Sequence, residues 1–315
     1  MSVPDYHRWV HPCTILVATD LNDLDRLMPF AMDEAQRTGA RLILLHVLAA
    51  NAVLSSDAAG LPYYDAVGVL EFADRTLRPW CEMARRENIA CDPLVREGNA
   101  AQQVVAAVRQ FKADRVLLGT RSRGKLSKLL LGSVAEQVLR SVNTPVMTVG
   151  PEAHLTEASD AERVVLHATT LRETSLPSAA LACQIAADRK AKLLLLHVLP
   201  PVDEMERKGI PCGLDATALH LLGHLAVDVG AGAGVDVGTR VVHGNPSIEI
   251  LAEASERGAS LIVLGATHRS AFENLTRDRT VYRVLAHARC PVLTLREPVA
   301  AVPEHEAEPA AFAHQ

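Results

Sequence analysis

Apolar residues along this chain fall into two rhythms that alternate from end to end. Short, nearly continuous apolar runs bounded by polar residues have the character of strands buried on both faces. Longer mixed segments lie between them, as connecting helices require. TILVATD (14–20) predicts a strand, 24–38 a helix and RLILLHVL (41–48) a second strand; a polar loop then leads to a helix near 67–88. ACDPLVRE (90–97) predicts a third strand, and 100–112 an amphipathic helix with Val104, Val105, Val108 and Phe111 at helical spacing. DRVLLG (114–119) is a fourth strand, a helix starts at Ser133, and PVMTV (145–149) is the last strand. A second succession follows, with strands near 163–169, 192–199, 235–242, 260–265 and 291–295.

The two successions are copies. LILLHVL at 42–48 returns as LLLLHVL at 193–199, EGNA at 97–100 as HGNP at 243–246, VLLGT at 116–120 as IVLGA at 262–266, and TPVMTV at 144–149 as CPVLTL at 290–295. A repeat this long is a duplicated domain. Alternating strands and helices predict an α/β fold: two tandem doubly wound five-stranded parallel sheets flanked by helices, with right-handed crossovers. The expected domains are 1–150 and 151–297, joined by the polar, acidic GPEAHLTEASDAE (150–162). Residues 298–315, rich in Pro, Ala and Glu, read as a disordered tail.

Composition narrows the class. The chain has 315 residues, 49% of them apolar but only 3% aromatic, so Ala, Val and Leu must fill the core. A net charge of −5 with dispersed Lys and Arg argues against a nucleic-acid partner. No apolar run is long enough for a membrane span, and MSVPDYHRWVHP lacks the apolar core of a signal peptide. Six cysteines (13, 81, 91, 183, 212, 290) show no C-x-x-C pair, which points to buried thiols in a reducing compartment. A cytoplasmic protein is expected.

The candidate chemistry lies in GTRSRGKLSKLLLGS (119–133), where the fourth strand ends. In doubly wound sheets, ligands sit beyond the carboxyl ends of strands, where strand order reverses. The first eight residues nearly match the P-loop pattern G-x-x-x-x-G-K-[ST], but Leu126 replaces the hydroxyl. Ser133, with Glu136 three residues on, has the spacing of a capping box. The helix therefore begins at Gly132-Ser133, too late for a P-loop, and its N-terminal amides can meet an anion.

At these residues the chain resembles the universal stress proteins in their tandem two-domain form. ATP-binding members carry G-x2-G-x9-G-[ST] between the fourth strand and the last helix. Here the pattern reads Gly119-Thr-Arg-Ser122, nine residues, then Gly132-Ser133, with Ser122 in place of the middle glycine. ILVATD, LLHVL, Gly98 and TPVMTV match the family in order. The resemblance implies an ATP site, with magnesium as a potential companion, made by Asp20 at the ribose and Val47 backbone at the adenine. Gly119, Ser122, Arg123, Gly124, Gly132, Ser133 and Val134 would surround the phosphates. Arg121, Lys125 and Lys128 add positive charge, or form a solvated loop face. The family pairing also implies that PVMTV and PVLTL meet about a pseudo-twofold axis within one chain; a further homodimer is left open.

The second copy departs further. It keeps Gly265 but has His268 at the middle position and Asp278-Arg279 for Gly-Ser, with Thr169 taken as the counterpart of Asp20. One ATP site per chain, in the first half, is the expectation. The function implied is non-catalytic: a stress or regulatory protein that binds a nucleotide, with no visible nucleophile–base pair and no carboxylate pair for magnesium. A nucleotide-independent interaction module is the alternative, since Gly119 and Gly132 can serve plain turns and Asp20 can cap the helix near 24. Enzymes of the adenine-nucleotide hydrolase or ligase folds would show an S-G-G-x-D-S-type loop or H-x-G-H motif after the first strand, and ATDLNDLD has neither. His46 and His197, recurring at matching strand ends, read as structural.

Overall fold

The computed structural model of the chain describes residues 6–48, 66–120, 131–155, 163–172, 175–203, 213–267 and 279–297. The first half runs α1 (Tyr6–Val10), β1 (Thr14–Thr19), α2 (Leu24–Thr38), β2 (Arg41–Leu48), α3 (Ala66–Arg86), β3 (Cys91–Glu97), α4 (Ala100–Phe111), β4 (Arg115–Gly119), α5 (Ser133–Ser141) and β5 (Val146–Val149). The second runs β6 (Val164–Ala168), α6 (Leu176–Asp188), β7 (Lys192–Leu199), α7 (Leu214–Gly230), β8 (Val237–His243), α8 (Pro246–Glu256), β9 (Ala259–Thr267), α9 (Arg279–His287) and β10 (Val292–Glu297). Most boundaries lie within one or two residues of the hydrophobic pattern. The short α1 is not signalled by it. The tail 298–315 lies outside the described residues.

The strands form one ten-stranded sheet in the order β3-β2-β1-β4-β5-β10-β9-β6-β7-β8. Within each half every pairing is parallel, which obliges each connection to cross over through a helix. The halves meet where β5 and β10 pair antiparallel, Met147 opposite Leu293. Each of these short strands therefore covers an edge that would otherwise template association.

Alternation along the strands feeds two cores. Ile15, Val17, Leu42 and Leu44 face a layer built from α2, α3, α6 and α7, whereas Leu16, Ile43 and Leu45 face α4, α5, α8 and α9. Both cores run without a break through the two halves, with Met147 and Leu293 in the first and Val146 and Val292 in the second. Burying each such side chain contributes about 1.5–3 kcal/mol. Cys81, Cys91, Cys183 and Cys290 are buried thiols, but Cys13 is exposed, because it stands just before the first buried residue of β1.

A buried ion triad ties the halves together. Arg115 on β4 and Arg189 at the end of α6 both approach the Glu34 carboxylate of α2, at 2.9 and 2.7 Å. Burial opposes ionisation of Glu34, but the attraction of Arg189 and Arg115 outweighs it and holds the carboxyl below its ordinary pKa. Arg115 also donates to the Trp9 carbonyl, anchoring α1.

Candidate functional site

Strand order reverses between β1 and β4, so the carboxyl ends of these neighbours open a crevice. Their register pairs Ala18 with Leu118, which sets Thr19 and Asp20 beside Gly119 and Thr120. β2 lies on the other side of β1, and its last partner there is His46, so Val47 stands one residue beyond the end of β1. Asp20, Val47, Gly119, Gly132, Ser133 and Val134 thus gather at one end of the sheet. Ser122, Arg123 and Gly124 lie outside the described residues, as do Arg121, Lys125 and Lys128.

After β1 the chain turns sharply. Thr19 Oγ1 accepts from the Leu21 amide at 2.9 Å, and Leu21 takes a left-handed backbone, φ 73°. The Asp20 carboxylate accepts from the Asn22 amide at 2.9 Å, closing an Asx turn rather than capping α2. This turn brings back a residue that the motifs do not mark. The Asp23 carboxylate receives the Thr19 hydroxyl at 2.5 Å, and Arg26 stands 3.8 Å from it. Burial raises the pKa of Asp23, the Thr19 hydrogen bond opposes the rise, and the charge of Asp20 adds to it. Two carboxylates therefore sit within electrostatic reach here, because the left-handed turn folds Asp23 back. Asp23 is already engaged, however, and no group of three potential metal ligands occurs among the described residues.

Gly119 makes room for this pair. A Cβ there would stand 2.6 Å from Asp23 Oδ2 and 2.9 Å from an Arg26 guanidinium nitrogen. Next to it, the buried Thr120 hydroxyl has no hydrogen-bond partner among the described residues. The Thr120 carbonyl accepts from the Gly132 amide at 2.9 Å, which holds the start of α5 beside the end of β4.

The cap of α5 differs from expectation. Gly132, not Ser133, is the N-cap, with extended φ −61° and ψ 143°, and no side chain caps the helix. Ser133 is the first helical residue, and Glu136 pairs with Arg140 at 2.6 Å instead of reaching back. The glycine adopts the cap conformation without needing a side chain, so the first-turn amides lack an intrahelical acceptor.

The second half repeats the scaffold. His46 Nδ1 lies 2.9 Å from the Thr19 carbonyl and His197 Nδ1 2.9 Å from that of Thr169, which makes both histidines structural. The Leu171 amide donates to Thr169 Oγ1, as Leu21 does to Thr19. Thr169 is therefore the counterpart of Thr19, and Thr170 is that of Asp20, a shift of one from the sequence alignment. Its hydroxyl sits 3.1 Å from Ser175 Oγ. Asn99 and Asn245 cap α4 and α8, after Gly98 and Gly244 at φ 122° and 152°. His268 and Asp278 lie outside the described residues, as does the side chain of Arg279. Among the described residues no helix is long and apolar enough to cross a membrane.

The profile of the Universal stress protein family matches residues 13–150 and again 161–296. A universal stress protein of Mycolicibacterium smegmatis is 27% identical over 298 residues, covering 90% of this chain and 96% of the relative. A universal stress protein of Thermus aquaticus is 32% identical over 143 residues, 43% of this chain and 97% of the relative. The crystal structure of a universal stress protein from Archaeoglobus fulgidus matches with a TM-score of 0.67 at 19% identity, covering 90% and 96% of the two chains, a likeness of fold.

Proposed function

The chain belongs to the universal stress protein family, and from that premise we propose that its first half binds one ATP and acts by binding, not catalysis. The observation that carries the proposal is the N-terminal turn of α5, uncapped by any side chain, at the strand ends where Asp20 and Gly119 stand. Amides with no intrahelical acceptor and the positive end of a helix dipole favour a phosphate. In this reading the amides of Ser133 and Val134 meet the phosphates, with Gly119 and Gly132 keeping the approach open. Ser122, Arg123 and Gly124, outside the described residues, belong to the phosphate site only as the family resemblance implies. The Asp20 carboxylate takes the ribose hydroxyls, and Val47 backbone takes the adenine edge. Magnesium accompanying the nucleotide is held through the phosphates, since Asp23 is bound by Thr19 and Arg26.

Binding without catalysis is supported by the surroundings of the Thr19 hydroxyl, which lies on a carboxylate. Its oxygen also closes the turn through Leu21, and Thr169 repeats that bond in the other half, the mark of a structural group. Restriction to one site is supported by Thr170, which offers a neutral hydroxyl where the first half has the Asp20 carboxylate.

A second reading, a nucleotide-independent interaction module, is favoured by one observation: Asp23 and Arg26 lie against Gly119 and fill the space beside it. Assay of a denatured extract for bound nucleotide, and ATP titration of the parent and Gly132→Asp, separate the two. Asp is a favoured N-cap and Gly132 already has the extended cap backbone, so the variant should melt at or slightly above the parent temperature. Its carboxylate would face the phosphates, and affinity should fall about a hundredfold. A parent that binds no ATP, or a variant that binds it equally well, would leave the interaction module as the function.

A further inference from the structure

Helix α7 is oriented by Ala218 and Leu222, which it buries in the core. His220 and His224 stand two positions either side of Leu222, about 200° around the helix, and so occupy its outward face. Both are exposed. At a separation of four residues their side chains are neighbours, but the rings have done more than approach. Their Nε2 atoms converge to 3.0 Å, with ring centroids 4.4 Å apart and planes crossing at 86°.

A hydrogen bond between two neutral imidazoles accounts for such a contact. The same geometry also meets a stricter requirement. Two nitrogens bound to one cation at about 2.0–2.1 Å, at an angle of about 90–109°, lie about 2.8–3.4 Å apart. The observed spacing falls inside that range. We propose that His220 and His224 form a two-imidazole chelate for a divalent transition cation. Nickel, copper and zinc suit imidazole, whereas magnesium and calcium prefer oxygen donors. No third His, Cys, Asp or Glu joins the pair among the described residues, so water completes the coordination. On binding, each Nε2 gives a lone pair to the metal and each ring keeps its proton on Nδ1; two metal-bound waters leave. The site lies on the outer face of the second half and does not depend on the nucleotide reading.

Another pair, His7 and His11, has the same spacing and serves as the internal control. Its ring centroids are 5.0 Å apart, and His11 Nδ1 already lies 3.4 Å from Asp188. The test is calorimetric titration of the full-length protein with nickel chloride, beside His220→Gln, His224→Gln and His11→Gln. Gln keeps helix propensity, and far-UV circular dichroism checks that the fold is retained. Either α7 substitution should weaken nickel binding about tenfold or more, and acidification should weaken it in the parent, because protons compete for both nitrogens. Nickel should also raise the melting temperature of the parent and of His11→Gln, but not of the α7 variants. Magnesium should not displace it. The inference is overturned if the parent binds no more tightly than the His220→Gln/His224→Gln double variant, or if the loss follows His11→Gln.

Discussion

His167 occupies in β6 the place that Val17 occupies in β1, fully buried between the two helix layers. Its Nδ1 lies 3.0 Å from the Val263 carbonyl, and its Nε2 is buried without a partner among the described residues. Burial disfavours the imidazolium and pushes the pKa down to about 4. The unfolded chain therefore takes up a proton before the native protein does. Stability is intact above the ordinary histidine range and declines as pH falls from about 6.5 towards about 4. His167→Val, the residue of the other half, removes this sensitivity. Between about pH 7.5 and about pH 5 the parent should lose about 2 kcal/mol more than the variant in urea unfolding. Equal losses would show that His167 does not titrate in this way. At the same scale lies Asp23, which no motif marks. Its partner Thr19 is four residues earlier, but only the left-handed Leu21 brings the two together.

Glu34 looks, in the stretch MDEAQRT, like one more solvent-facing charge of α2. In the fold it is almost wholly buried, because the end of α6 packs where solvent would otherwise be. Three elements, α2, β4 and α6, depend on its single charge. Glu34→Gln keeps the volume and removes the buried counter-charge that Arg115 and Arg189 share. Breaking a buried pair this way should cost about 3–5 kcal/mol in chemical denaturation at neutral pH. Because the native pKa of Glu34 is depressed, its contribution is present above the unfolded carboxylate range and is lost as pH falls through the native value. The gap between parent and variant should therefore narrow in acid. A gap that stays constant with pH would assign the loss to packing.

The two halves share one sheet and two continuous cores, so neither has a core of its own that ends at β5 or β10. Unfolding should be one cooperative event. The chain offers a direct check, because both tryptophans, Trp9 and Trp80, are in the first half. Trp9 lies on α1, which packs against α6 of the second half, so in a Trp9→Phe variant the fluorescence of Trp80 follows the first half, whereas far-UV circular dichroism follows both. Urea midpoints from the two probes should coincide. A fluorescence midpoint distinct from the dichroism midpoint would mean that the β5–β10 junction does not couple the halves.

The hydrophobic rhythm and the repeated LLHVL, G-N and PV-T segments determine by themselves the strands, the helices of the first half from α2 onward and the duplication. These are local patterns, set by which residues can be buried on a strand or along a helix face. The start of α5 at Gly132-Ser133 is legible from the spacing of Ser133 and Glu136. Tertiary structure alone decided the rest. The cap lies at Gly132 and not Ser133, where the Gly132 amide is tied to the Thr120 carbonyl beyond β4. Thr170, not Thr169, faces the place of Asp20, since parallel registers rather than aligned letters set which strand ends are equivalent. Glu34, Arg115 and Arg189 became one buried group because folding brought together positions up to 155 residues apart, and no periodicity along the chain records a contact of that range.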